Sequence, residues 1–122
     1  SDKRLKRDFE ELPNPLEILQ AINGYYYFWT VDKIDQTRQV GVIAQEIETV
    51  LPEIVTTGSD GYKSVDYSKL VALLIEVNQA QEVKIATLEA QLETLGTEVS
   101  KVNQLEEALG DIQAQLQTLQ NQ

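Results

Sequence analysis

The chain has 122 residues, a net charge of −10, and neither His nor Cys. The absence of these two residue types excludes disulfides, thiol chemistry, the usual zinc sites and any catalytic triad that depends on His. The apolar share of 42% is that of a folded globular chain. No apolar run approaches the roughly 20 residues of a membrane-spanning helix. The acidic charge, which residues 1–66 and 67–122 share, disfavours nucleic acid and anionic membranes as partners.

The N-terminal residues are basic and carry no secretory signal, because they lack its apolar run. The chain starts with Ser and contains no Met, so we expect a fragment of a longer protein. Residues 3–9 predict a short strand with a solvated, charged end. The cations in it are Lys3, Arg4, Lys6 and Arg7.

The first predicted helix covers residues 15–23. Asn14 and Pro15 fit its N-cap and first helical position, and the Asn23-Gly24 pair ends it. Its apolar face consists of Leu16, Leu19 and Ile22.

A run of aromatic residues follows this helix. The sequence YYYFWT at residues 25–30 predicts a strand, and the polar residues 31–39 predict a hairpin loop. Five consecutive aromatic residues place large rings on both faces of the strand. We expect one face to pack on the helix of residues 15–23 and the other to meet a second subunit, whereas a sugar-binding platform is the alternative interpretation.

The next segment predicts a short helix and a second hairpin. Residues 41–51 begin extended and turn into a helix that Pro52 closes. Residues 54–56 and 62–65 form the hairpin around the turn sequence GSDG at residues 58–61. This turn lacks the alternating acidic residues of a calcium loop, so a plain turn is favoured and no metal is expected.

The last segment, residues 67–122, predicts one long helix with Asp66 as its N-cap, since it contains no Pro. Its apolar residues recur at alternating steps of three and four, which fits heptad positions a and d. They are Ile85, Leu88, Leu92, Leu95, Val99, Val102, Leu105, Leu109, Ile112, Leu116 and Leu119. A single helix cannot bury this stripe, so we predict a coiled coil. The mixture of Ile, Leu and Val at these positions does not distinguish a coiled coil of two helices from one of three.

Two irregularities interrupt the heptads. Asn78 and Gln81 occupy the a and d positions before Ile85 and predict a polar layer that fixes register and oligomer number. An ion or water held between these amides is the alternative. The step of three from Val99 through Val102 to Leu105 is a stammer, which predicts local overwinding.

The fold class that these elements predict is α+β. Residues 1–66 form a small mixed head of short strands and helices, and residues 67–122 form the long C-terminal helix of a coiled-coil stalk. The sequence shows no Gly-rich phosphate loop, and no cofactor is expected.

Ser1 and Lys6 are the candidate catalytic pair. Without His and Cys, hydroxyls are the available nucleophiles, and the neutral amine of a lysine can accept the hydroxyl proton. On a straight strand positions 1 and 6 point to opposite faces, and on a helix they are about 140° apart. The pair therefore requires a turn at Asp2 and Lys3, or a contribution from another subunit.

Three ordered motifs give the chain a family resemblance. They are SDKRLK at residues 1–6, GVIAQEI at 41–47 with LPE at 51–53, and DGYKSVDYSKL at 60–70. Together they resemble the endosialidase-type intramolecular chaperone domain at the C-termini of phage tail spikes and fibres. The resemblance covers roughly residues 1–82, and the coil beyond it is interpreted on its own.

The resemblance implies a homotrimer that templates folding of the fibre or spike domain upstream in the same precursor. It implies that the domain then cuts itself off just before Ser1, with the assistance of Lys6, as a single-turnover serine peptidase acting on its own chain. The implied location is the host-cell cytoplasm during virion assembly, followed by release from the mature fibre. Some members of the family also use a His, so that role is empty here or is filled by Gln45 or Glu46.

Two other functions are compatible with the same residues. The first is a permanent, non-catalytic trimerisation module of head and stalk. The second is a Ser/Lys peptidase that acts on other chains, for which the head is small. Cleavage of a longer precursor distinguishes all three.

Overall fold

The computed structural model describes residues 1–122 and confirms the α+β class, with short antiparallel strands and one long C-terminal helix. The elements in chain order are α1 (Pro15–Gln20), β1 (Tyr25–Tyr27), β2 (Gln39–Gly41), α2 (Ala44–Glu48), β3 (Val55–Thr57), β4 (Lys63–Val65) and α3 (Tyr67–Gln120), with 3₁₀ turns at Lys3–Leu5 and Pro52–Ile54. The chain forms two compact units, residues 1–81 and 82–122. The assignment of residues 67–122 to a stalk domain stays a prediction.

The strand predicted for residues 3–9 is wrong, because a 3₁₀ turn occupies Lys3–Leu5. The Asp2 carboxylate accepts the backbone N–H of Arg4 at 2.8 Å, and the Asp2 carbonyl accepts that of Leu5 at 3.1 Å. These local bonds compete with extended backbone. Asp8, at a φ of 56°, interrupts the chain again before it can extend.

Helix α1 is shorter than predicted, because the N–H of Ala21 bonds to the carbonyls of Ile18 and Leu19 and closes the helix early. Pro15 takes the first helical position, as predicted. Asn14 is the N-cap residue, but its backbone is left-handed and its side chain makes no capping bond. The predicted apolar face is confirmed, since Leu16, Leu19 and Ile22 pack, partly buried, against the core.

Strands β1 and β2 form the first antiparallel hairpin, in which Tyr26 lies opposite Val40. The predicted loop between them is confirmed, although the aromatic strand ends at Tyr27 rather than at residue 30. Outside the ladder, Phe28 and Trp29 remain 62% and 42% exposed.

Strands β3 and β4 form the second hairpin around the predicted turn. The Gly58 N–H donates to the Tyr62 carbonyl at 2.8 Å and closes the loop. Gly61 has a φ of 86°, which favours glycine over any residue with a Cβ atom.

The core of residues 1–81 is one small cluster from α2, the turn after it and the first part of α3. Its buried members are Ile47, Leu51, Ile54, Leu73 and Val77. Leu73 and Val77 are four residues apart, which places both on one face of α3. Ile47 and Leu73 are fully buried, so the core depends on the contribution of this helix.

We expect Leu73→Ala to lower the free energy of unfolding by about 2–5 kcal/mol, because it removes a fully buried side chain and leaves a cavity. Leu5→Ala is the matched control, since Leu5 is 87% exposed. Urea unfolding followed by Trp29 fluorescence at one chain concentration measures both variants. Equal losses of stability would contradict this description of the core.

Helix α3 has the predicted N-cap and extends to Gln120. The Asp66 carboxylate accepts the N–H of Ser68 at 3.1 Å and its hydroxyl at 2.6 Å. In residues 82–122 every member of the predicted heptad stripe is 48–69% exposed, so nothing within this unit buries the stripe. No helix of the chain combines the length and apolar character needed to cross a membrane.

Candidate functional site

The structure brings the predicted pair Ser1 and Lys6 together within one chain. Lys6 Nζ donates a hydrogen bond to Ser1 Oγ at 2.5 Å. The turn that the sequence analysis required at Asp2 and Lys3 is present, so no second subunit is needed for this contact. Both side chains are exposed, which leaves Ser1 Oγ accessible. The catalytic role of either residue stays a prediction.

Asp2 and Arg4 build this turn through hydrogen bonds between them, whereas the sequence indicated only that a turn was needed at Asp2 and Lys3. The Asp2 carboxylate accepts three bonds from Arg4: from its backbone N–H and Nη2, each at 2.8 Å, and from Nε at 3.1 Å. The next residues continue the turn, as the Lys6 N–H donates to the Lys3 carbonyl at 3.1 Å. An Asp side chain readily accepts the backbone N–H of the residue two positions further along the chain. Asp2 is therefore the sequence signal for the bonds that hold this turn.

The positive charge around Lys6 is smaller than the sequence suggests. Arg4 pairs with Asp2, and Arg7 Nε lies 3.3 Å from a carboxylate oxygen of Asp8. The hydrogen bond from the Arg4 side chain lowers the pKa of Asp2, and the same bond raises the pKa of Arg4. Both partners therefore stay ionised at neutral pH.

Glu46, one of two replacements considered for the missing His, makes its hydrogen bonds elsewhere. Its carboxylate accepts the Tyr25 hydroxyl at 2.7 Å, and the backbone and side-chain N–H groups of Asn23 at 3.3 and 3.4 Å. These bonds connect the start of β1 to α2. The other replacement, Gln45, is exposed and lines the cavity that the aromatic residues after Gly24 border. The structure therefore brings neither residue into hydrogen-bond contact with Ser1.

We expect the Tyr25–Glu46 contact to give the head a pH-dependent stability. The Tyr25 hydroxyl lowers the pKa of Glu46 below its usual 4.5, and the bond to Glu46 raises the pKa of Tyr25 above 10.0. The stabilisation is therefore complete between these two values. It is lost as pH falls through the folded-state pKa of Glu46, and as pH rises through that of Tyr25.

Melting temperatures measured against pH test this expectation. Tyr25→Phe should reduce the loss of Tm that accompanies acidification below pH 4.5. Glu53→Gln is the control, because it removes the carboxylate of an exposed residue outside this contact. Identical acid profiles for wild type and Tyr25→Phe would contradict a stabilising role of this bond.

The aromatic residues border a cavity of about 680 Å³ between the first hairpin, β4 and the start of α3. Tyr27 and Trp29 meet edge to face at 5.2 Å, and the Tyr67 hydroxyl accepts the Val42 N–H at 3.3 Å. A Cβ atom at Gly41 would lie 2.8 Å from that hydroxyl, so a larger residue there would displace the Tyr67 side chain. The expectation that a second subunit covers the aromatic strand stays a prediction.

The chain resembles known proteins over a segment that includes Ser1 and Lys6. Residues 1–56 match the model of a peptidase family described as the chaperone of endosialidase. The chain is 35% identical over 103 residues to the long tail fiber protein Gp37 of Salmonella phage S16, an alignment that covers 78% of the chain and 14% of that protein. It is 32% identical over 102 residues to the Gp37 of Enterobacteria phage K3, covering 75% and 8%. It is 34% identical over 80 residues to that of Escherichia phage AR1, covering 60% and 7%.

The chain thus spans at most 14% of the length of these relatives. The matched segment begins with the motif that holds Ser1 against Lys6 and extends through α2 into β3. Through residues 1–56 the chain is therefore similar to the chaperone-of-endosialidase family.

Proposed function

We propose that the chain is an intramolecular chaperone of a phage tail fibre, which forms a trimer, templates folding of the fibre segment before it and then releases itself by cleavage before Ser1. The observation that carries the cleavage is the 2.5 Å contact between Lys6 Nζ and Ser1 Oγ, inside the segment that matches a peptidase family. The names of the similar phage proteins support a tail fibre as the cargo. The proposed location is the host-cell cytoplasm during virion assembly.

The proposed reaction uses only the chain and water. In a precursor, Ser1 Oγ attacks the carbonyl carbon of the preceding residue, so that a C–O bond forms and the C–N bond to Ser1 breaks. Neutral Lys6 Nζ takes the hydroxyl proton and returns a proton to the departing amine. Water then hydrolyses the resulting ester, which frees the upstream chain as a carboxylate and restores the hydroxyl.

The exposed apolar residues of α3 support the trimer. The heptad stripe of residues 85–119 has no cover within its own unit, and large uncovered stripes of this kind are interaction surfaces. Nearer the head, Leu73 and Val77 are buried in the core, whereas Val71 and Leu74 on the same helix are 55% and 51% exposed. Val71 and Leu74 lie seven residues before Asn78 and Gln81, so they occupy the next a and d positions toward the head. The exposed heptad stripe therefore continues back to Val71.

Assembly and cleavage have complementary physical purposes. Three chains held together keep their upstream segments at high effective concentration, which lowers the entropic cost of aligning them. A chaperone that stayed attached would let the fibre unfold together with it. Cleavage leaves the folded fibre behind its own unfolding barrier, which is kinetic stability.

A precursor that keeps its natural upstream segment tests the proposal. We expect wild type to give two fragments on a denaturing gel, with Ser1 at the start of the smaller one. Ser1→Ala should stay full length, with the oligomer mass of three uncut chains. An uncut wild type would overturn the cleavage and leave the non-catalytic head and stalk as the function. Cleavage of the Ser1→Ala precursor after addition of the wild-type domain would indicate action between molecules.

A further inference from the structure

We propose that Asp2, held by Arg4, is a positioning residue that folds the chain so that Lys6 reaches Ser1. The inference rests on the proposed function, because it assigns a role within the proposed cleavage. Asp2 touches neither of the two reacting side chains in its hydrogen bonds, so its effect passes through the backbone turn.

The turn is necessary for the contact between Ser1 and Lys6. On an extended backbone the two side chains would point to opposite faces. Asp2 supplies two acceptors that together reverse the chain: its carboxylate for the Arg4 N–H at 2.8 Å, and its carbonyl for the Leu5 N–H at 3.1 Å. A side-chain acceptor at this position satisfies a donor that would otherwise be free at the start of the turn.

Packing does not hold this turn. None of its residues is buried, and the side chains of Asp2 and Arg4 are 44% and 87% exposed. The Arg4 guanidinium forms a two-bond fork with Asp2, from Nε to Oδ1 at 3.1 Å and from Nη2 to Oδ2 at 2.8 Å. In the absence of apolar contacts, these polar contacts determine the conformation of residues 1–6.

The Asp2–Arg4 pair lies outside the core, so its effect on cleavage can be distinguished from an effect on the stability of the fold. Exposed ion pairs contribute little to stability, and the core residues lie on α2, on α3 and in the turn after α2. Removal of the Asp2 carboxylate should therefore leave the head folded and the oligomer intact while it displaces Lys6 from Ser1. The hydrogen bond from Arg4 keeps the pKa of Asp2 low, so the carboxylate is ionised at neutral pH.

The test compares cleavage rates of the full precursor in wild type, Asp2→Ala and Asp2→Asn. Loss of positioning by about an ångström costs on the order of 100-fold in rate, so we expect Asp2→Ala to cut about 10- to 100-fold more slowly. Asp2→Asn keeps an acceptor for the Arg4 N–H and should recover most of the rate.

The matched control is Asp8→Asn, which removes the negative charge of the neighbouring exposed pair with Arg7, tolerates the left-handed backbone at position 8 and should cut at the wild-type rate. An Asp2→Ala precursor that cuts like wild type would overturn this inference alone. Equal slowing of both variants, or a lower Tm or oligomer mass in Asp2→Ala, would overturn it as well by indicating a general effect. An uncut wild type would instead contradict the proposed function itself.

Discussion

Lys6→Met is expected to slow cleavage of the precursor by about 10²- to 10⁴-fold, the usual contribution of a positioned acid or base. Methionine keeps an unbranched, flexible side chain but removes the amine that lies 2.5 Å from Ser1 Oγ. The loss should appear in the rate rather than in assembly, because Lys6 is exposed and absent from the core. A time course on a denaturing gel measures it.

Lys3→Met is the control for this variant. Lys3 belongs to the same exposed turn, and its part in the turn is a backbone carbonyl that the substitution leaves in place. We expect Lys3→Met to cut close to the wild-type rate. A Lys6→Met precursor that cuts as fast as Lys3→Met would contradict the role of Lys6 as base, even if Ser1 were still required.

The double variant Leu92→Asp/Leu109→Asp is expected to convert the proposed trimer into monomers. These leucines occupy a positions of the stripe and are 67% and 55% exposed in the single chain. A leucine that is fully buried in an interface contributes about 1.5–3 kcal/mol. The substitution removes this contribution in every chain and places three like charges together in each of two layers, where burial of charge is costly.

Ala90→Asp/Ala114→Asp provides a control with the same added charge. Both alanines are exposed and fall on f positions, opposite the seam. They lie two residues before Leu92 and five residues after Leu109. Sedimentation at equal chain concentration should give monomers for the seam variant and trimers for the control. Dissociation of both would indicate that net charge, rather than the seam, governs assembly.

Patterns that act over a few residues predicted most of the fold. The GSDG turn predicted the second hairpin because Gly61 adopts a left-handed backbone, and the bounds of the two strands of this hairpin differ from expectation by one residue at most. The start of α3 followed from the capping ability of Asp66. The strand at residues 3–9 failed for the same kind of reason, because the side chain of Asp2 bonds to nearby backbone and overrides the extended pattern.

The candidate site was only partly predictable. Residue chemistry and the family resemblance pointed to Ser1 and Lys6, whereas their contact depends on a turn whose bonds only the structure displays. The Tyr25–Glu46 bond joins residues 21 positions apart, and no local pattern indicates such a contact. The number of chains in the coiled coil depends on how the a and d side chains of neighbouring helices pack. A mixture of Ile, Leu and Val at these positions does not determine that number.

The mass of the assembled chain in solution tests the central claim, which is that the apolar seam of α3 is covered by two further copies. Light scattering at micromolar chain concentration is predicted to give three times the chain mass of 13.8 kDa. A folded species of 13.8 kDa under the same conditions would contradict the account.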